Sequence, residues 1–167
     1  MKSSPYAAPE PYPEIKVERE DPRLANLIMG KLAGQQSEMT ATTRYLYLHW
    51  TLAECDDVMF GIARVEMHHM NMLGQLIRLL GGDPRFQVCQ RGRPIFWNGG
   101  MIPYWKTVRE ALEGSIKAEE ATAAGYQELI DQISDQNVCR VLARIREDEL
   151  FHRDLLREKL DALPEDS

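Results

Sequence analysis

Apolar residues recur at intervals of three and four through four long stretches of the chain, the spacing that lines them up on one face of an α-helix. The first stretch runs from about Pro22 to Leu52. The second runs from about Cys55 to Leu80 and is closed by Gly81, Gly82 and Pro84, residues that end helices. The third runs from about Pro103, a residue suited to a first helical turn, to Ile133. Ser134 and Asp135 offer caps for the fourth, which reaches about Leu160. No long segment alternates with period two. Two short connections and one long one, the Gly-, Pro- and aromatic-containing stretch 81–103, predict an all-α, antiparallel four-helix bundle of two helical hairpins joined by a long crossover.

Charge interrupts every one of these stripes. The first reads Leu24, Ile28, Lys31, Gln35, Glu38, Thr42, Tyr45, His49, Leu52, and the second Ile62, Glu66, His69, Leu73, Leu76, Leu80. The third reads Val108, Leu112, Ile116, Glu119, Ala123, Tyr126, Ile130, and the fourth Val138, Leu142, Ile145, Glu149, His152, Leu156, Leu160. Each helix thus turns a glutamate inward, and two add a histidine three residues later. A buried carboxylate without a partner costs on the order of several kcal/mol, and converging carboxylates repel one another besides. Two divalent metal ions would balance four carboxylates, with the neutral imidazoles as further ligands.

The two halves of the chain are near-repeats. Glu38, Tyr45, Glu66 and His69 match Glu119, Tyr126, Glu149 and His152 in order, and glutamate to tyrosine is seven residues in both (45 − 38 and 126 − 119). In an antiparallel hairpin, residues at one height are equidistant from the turn. The midpoint of 38 and 66 is 52, that of 119 and 149 is 134, and both fall where turns are expected. Each arm is then about 14–15 residues, roughly 21 Å at helical rise, so all four glutamates are predicted at one level.

Composition narrows the function classes. A chain of 167 residues, 44% hydrophobic, suits one domain with a sizeable core. The net charge of −6 argues against nucleic acid; Arg91, Arg93 and Lys106 make only a small basic group. Cys55, Cys89 and Cys139 form no Cys-x-x-Cys pair, which excludes a rubredoxin-type iron site or zinc ribbon and fits a reducing cytoplasm. No apolar stretch suits a membrane span or secretory signal. Four prolines in about the first 20 residues mark an extended arm at 1–21, either disordered or packed on a neighbouring subunit. The bundle occupies 22–161 and a short tail 162–167.

At these residues the sequence resembles the ferritin-like superfamily: bacterioferritins, rubrerythrins and manganese-catalase-like proteins. Residues 37–45 (Ser-Glu-Met-Thr-Ala-Thr-Thr-Arg-Tyr) and 66–69 (Glu-Met-His-His) resemble the ligand segments of bacterioferritin. Residues 118–121 (Ala-Glu-Glu-Ala) with Tyr126 are closer to the manganese-catalase-like group, and 148–152 (Asp-Glu-Leu-Phe-His) fit all of them. The resemblance implies that Glu38 and Glu119 are terminal ligands, that Glu66 and Glu149 bridge two metals, and that His69 and His152 bind one each. It implies supporting roles for Tyr45, Tyr126 and Asp148. Met67 matches the haem-binding methionine of bacterioferritin, and is equally an ordinary packing residue. The pattern departs from bacterioferritin at Val65, where that family has aspartate, and after residue 160, where too little chain remains for a fifth helix. It departs from rubrerythrin at Thr122. Glu120 competes with Glu119 as ligand; Glu54 and Glu147 read as solvent-facing, His49 as a core histidine, and His68 as turned about 100° from His69.

The expected function is a di-metal oxidoreductase of ferroxidase, peroxidase or catalase type, acting on dioxygen, hydrogen peroxide or Fe(II), with the ligands themselves as the catalytic groups. Iron is expected ahead of manganese. Manganese-catalase-like disproportionation of peroxide is the alternative, and iron binding and storage the alternative of another class. The expected protein is a cytoplasmic homo-oligomer with a small-molecule oxidant and no nucleic-acid or membrane partner.

Overall fold

A computed structural model describes residues 4–53 and 56–164. Five helices carry the fold: α1 (Pro22–Ala33), α2 (Glu38–Thr51), α3 (Asp56–Leu79), α4 (Val108–Ile130) and α5 (Gln136–Asp161). α2 packs along α3 and α4 along α5, giving two antiparallel hairpins, while α1 continues the first hairpin against the far half of α3. The architecture is the all-α four-helix bundle, with three differences from the sequence reading.

The first predicted helix is two. Gly34 adopts an extended conformation after Ala33, and the Ser37 hydroxyl accepts from the Thr40 amide to cap a new helix. The apolar periodicity runs through this break because both pieces bury a face on α3. The third helix starts at Val108 rather than Pro103. Thr107 and Glu110 form a reciprocal capping box there, which satisfies two first-turn donors and outweighs the proline signal. The crossover holds a small hairpin of β1 (Gln87–Gln90) and β2 (Arg93–Phe96), with Gln87 opposite Phe96 and Gln90 opposite Arg93. Its two-residue loop puts Arg91 at φ 50° and Gly92 at φ 75°, the positive-φ pair of a tight hairpin turn.

Helix ends follow from local chemistry. α3 closes with Gly81 at φ 83°, its amide on the Arg78 carbonyl and the Gly82 amide on that of Ile77, the paired-carbonyl stop that glycine permits. Asp135 caps α5 by accepting from the Asn137 and Val138 amides, and its other oxygen takes the Glu18 amide at 2.7 Å. Asp135→Ala is therefore expected to lower stability by about 1–2 kcal/mol, measured as a lower urea midpoint at unchanged slope; an unchanged midpoint would remove the cap from the account.

The core has two apolar clusters. One is built from α1, the ends of α3 and α4 and the start of α5, and includes Ile28, Leu73, Leu76, Ile77, Leu142 and Ile145. The other joins α2, the start of α3, the start of α4 and the end of α5, and includes Leu48, Met59, Ile62, Leu112, Ile116 and Leu156. Burying such a side chain stabilises by roughly 1.5–3 kcal/mol. Between the clusters lies a polar layer.

Ala7 and Ala8 are buried on the chain's own bundle. Arg144 fixes the arm by donating from Nε to the Glu10 carbonyl and from Nη2 to the Ala8 carbonyl, each at 2.8 Å. Among the described residues no helix is long and apolar enough to cross a membrane.

Candidate metal centre

The polar layer consists of Glu38, Glu66, His69, Glu119, Glu149 and His152, all buried. Each lies where its helix passes between the apolar clusters: Glu66 and His69 between Ala63 and Met72, Glu149 and His152 between Ile145 and Leu156. The structure groups them twice. Glu38, Glu66, His69 and Glu149 offer atoms within 4.8 Å of one another, and so do Glu66, Glu119, Glu149 and His152. Glu66 and Glu149 are common to both groups.

Both imidazoles turn Nδ1 into the layer and Nε2 away from it. His69 Nδ1 lies 3.1 Å from Glu66 Oε2 and 3.4 Å from both Glu38 Oε2 and Glu149 Oε1. His152 Nδ1 lies 3.0 Å from Glu66 Oε1, yet neither atom has a partner with hydrogen-bond geometry. Glu38 Oε2 and both Glu149 oxygens are likewise buried and unpaired. Buried carboxylate oxygens are normally hydrogen-bonded. Two groups of such atoms converging on common points fit a pair of divalent cations bound by oxygen and imidazole nitrogen.

Groups around the layer hold these side chains in place. The tyrosines cross between halves: the Tyr45 hydroxyl donates to Glu119 Oε1 and the Tyr126 hydroxyl to Glu38 Oε1. Arg44 donates to the same Glu119 oxygen at 2.8 Å, with its guanidinium 4.5 Å over the Tyr45 ring. The repeat offers no second arginine, since Gly125 stands before Tyr126. Instead Lys31 places its ammonium 4.8 Å over the Tyr126 ring, in the space a side chain at Gly125 would need. Arg44 and Lys31 are site residues that sequence reasoning did not assign. Lys31 stood on the inward stripe, and a cation among inward glutamates was the available signal.

Asp148 is the most connected support. It accepts from His69 Nε2 at 2.9 Å, from the Tyr12 hydroxyl at 2.6 Å and from the Ala8 amide at 2.7 Å, and pairs with Arg144 at 2.6 Å. These partners outweigh burial and bring its carboxyl down to about 2. His152 Nε2 lies 2.9 Å from the Tyr6 carbonyl oxygen.

Without cations the layer shares protons. Burial, then the charge of Glu66, pushes Glu38 up to about 8. Burial and the charges of Glu66, Glu38 and Glu119 push Glu149 well above the usual range. Burial would raise Glu66 too, but His152 and then His69 hold it well below. Burial would lower His69, yet the carboxylates around it, Asp148 first and then Glu149, Glu38 and Glu66, raise it well above an ordinary imidazole.

The remaining candidates lie outside the layer. Glu120 pairs with Arg157 at the surface, and Glu147 with Arg146. His49 stacks on Phe60 at 4.8 Å, and His68 meets the Tyr12 ring edge-on at 4.5 Å. Met67 is 59% exposed on the outer side of α3. Glu54 and Cys55 lie outside the described residues; Cys89 is exposed and Cys139 buried, both free thiols.

The fold is that of the ferritin-like four-helix bundles, and the buried carboxylate and histidine groups are of the kind that could hold two metal ions. The sequence model of manganese containing catalase matches residues 12–93, a span holding Glu38, Glu66 and His69. The chain is 26% identical over 170 residues to a probable manganese catalase of Clostridium acetobutylicum, covering 89% of this chain and 75% of that one. It is also 26% identical over 174 residues to protein CotJC of Bacillus subtilis, covering 93% and 92%. KatB, a manganese catalase from Anabaena, superposes with TM-score 0.83 over 93% of this chain and 78% of its own, at 22% identity. The bacterioferritin of Desulfovibrio desulfuricans superposes with TM-score 0.68 over 83% and 78%, at 21% identity.

Proposed function

We propose that the chain is a dinuclear manganese enzyme that disproportionates hydrogen peroxide to water and dioxygen. The observation that carries the reading is the pair of overlapping buried ligand groups sharing Glu66 and Glu149. Glu38 and His69 complete one, Glu119 and His152 the other. Iron was the metal expected ahead of manganese from the sequence. The choice of manganese is supported instead by the family match and by the named relatives, both curated and structural.

A bound metal pair supplies the two electrons that one peroxide takes and a second returns, so no outside reductant is required. The chain's own part is to hold ligands and exclude water. Tyr126 and Tyr45 fix the terminal carboxylates, Asp148 orients His69, and the two apolar clusters close the layer above and below. A surface cavity of about 180 Å³ between α2, α4 and the crossover, lined by Ser37, Thr40, Arg44, Trp105 and Thr122, leads to Arg44 and so to Glu119. Its volume exceeds that of a peroxide molecule, and we read it as the access route.

Protein from the native host is expected to contain about two manganese ions per chain, and with peroxide alone to evolve one dioxygen for every two peroxides consumed. Iron in the site, with Fe(II)-dependent dioxygen uptake and no evolution from peroxide, would reverse the assignment in favour of a ferroxidase.

A further inference from the structure

We propose that the N-terminal arm is a working part of the metal site: the Tyr6 carbonyl orients His152 in the way that Asp148 orients His69. The inference rests on the ligand reading above and adds to it a positioning group that carries no side-chain signal.

The internal repeat exposes the need. Asp148 immediately precedes Glu149 of one Glu-x-x-His segment and reaches across to His69 Nε2, on the other segment, at 2.9 Å. The matching position before Glu66 is Val65, buried and unable to accept a proton. The duty left vacant falls to the arm, whose Tyr6 carbonyl lies 2.9 Å from His152 Nε2. A carbonyl oxygen only accepts, so Nε2 must carry the proton and Nδ1, which faces Glu66 at 3.0 Å, is left for a metal. Partners of this outer kind fix the ring and its tautomer, and their loss typically costs about 10–100-fold in metal affinity.

The arm is held for the task. The Tyr6 ring lies flat on α3 at Gly61, in space that any side chain there would occupy. Beyond it Ala8 donates to Asp148, and Arg144 holds the Ala8 and Glu10 carbonyls. One short stretch of the arm therefore supports both imidazoles, His152 directly and His69 through Asp148.

The test uses the full-length protein, stripped of metal and titrated with Mn(II), read by calorimetry and by electron paramagnetic resonance. Wild type should take up two ions and give the spectrum of a coupled pair. Gly61→Val, which lifts Tyr6 without touching a ligand, should weaken one of the two ions by about 10–100-fold. At limiting metal it should show the six-line spectrum of isolated Mn(II). Adding Val65→Asp, which gives this half the acid the other half has, should restore the coupled pair. Tyr6→Gly loosens the same contact from the arm's side and should reproduce the effect if Gly61→Val does not fold. Variants that bind the pair like wild type overturn the arm's role. So does equal loss of both ions that Val65→Asp leaves uncorrected, which marks a general structural defect. A wild type that binds no pair overturns the ligand reading itself, a result distinguishable from the others.

Discussion

Glu149→Gln is expected to cut manganese content from about two ions per chain to well under one, while leaving the metal-free protein as stable as wild type or more so. Glu149 belongs to both ligand groups, so its loss strikes both ions, and the effect should exceed the roughly 10–100-fold that an outer partner contributes. Glutamine keeps the shape and removes the charge. In the metal-free chain that charge is already disfavoured, since burial and the charges of Glu66, Glu38 and Glu119 hold the Glu149 carboxyl well above the usual range. The sign of the pH dependence follows. The folded chain keeps a proton that the unfolded chain gives up near pH 4.5. The stability due to that proton is complete below the unfolded value and is lost as pH rises through the folded one. At its steepest a single proton contributes a slope of about 1.4 kcal/mol per pH unit. Metal-free wild type should therefore weaken on the alkaline side, and metal-free Glu149→Gln should weaken less. Urea unfolding of both at several pH values, with metal analysis of both, provides the check. A variant that retains two ions would end the assignment of Glu149 as a shared ligand.

The same electrostatics explains why the residues of the candidate site stand out in the sequence. A glutamate on an apolar stripe is conspicuous because burial makes it costly, and four at matched spacing leave few explanations. The bundle was equally legible, as long helices write a 3.6-residue period into the chain. What escaped lay where that period carries no information. The break at Gly34–Ser37 keeps both helix faces on α3, so the stripe passes through it. The β-hairpin has strands of only four residues and turns on Arg91-Gly92 rather than the more telling Asn-Gly. The arm's prolines argue for extension, but what it offers His152 is a backbone carbonyl, and every residue has one. Lys31 was visible as a cation on an inward stripe. Its place over Tyr126 depends on the absence of a side chain at Gly125, a relation that only the fold reveals.

Removing the metal from the intact protein should lower its melting temperature by about 8–16 °C and leave its helical content nearly unchanged. A ligand held at a thousand times its dissociation constant stabilises a fold by about 4 kcal/mol, and 1 kcal/mol moves the melting point of a chain of this length by about 2–4 °C. Helix content should persist because the two apolar clusters on either side of the layer do not contain the proposed metal ligands. The layer itself should loosen, since Glu38, Glu66, Glu119 and Glu149 then face one another with only Arg44, Lys31 and the imidazoles as counter-charge. Refilling the site must displace protons, because Glu38 holds its own up to about 8. Manganese uptake at pH 7 in weak buffer should therefore acidify the solution, and affinity should fall as pH is lowered further. Calorimetric scans with chelator and with added Mn(II), beside a pH-monitored titration, measure both effects. Equal melting temperatures with and without metal, and no proton release, would mean that the bundle carries its acidic layer unaided and that no ion pair belongs there.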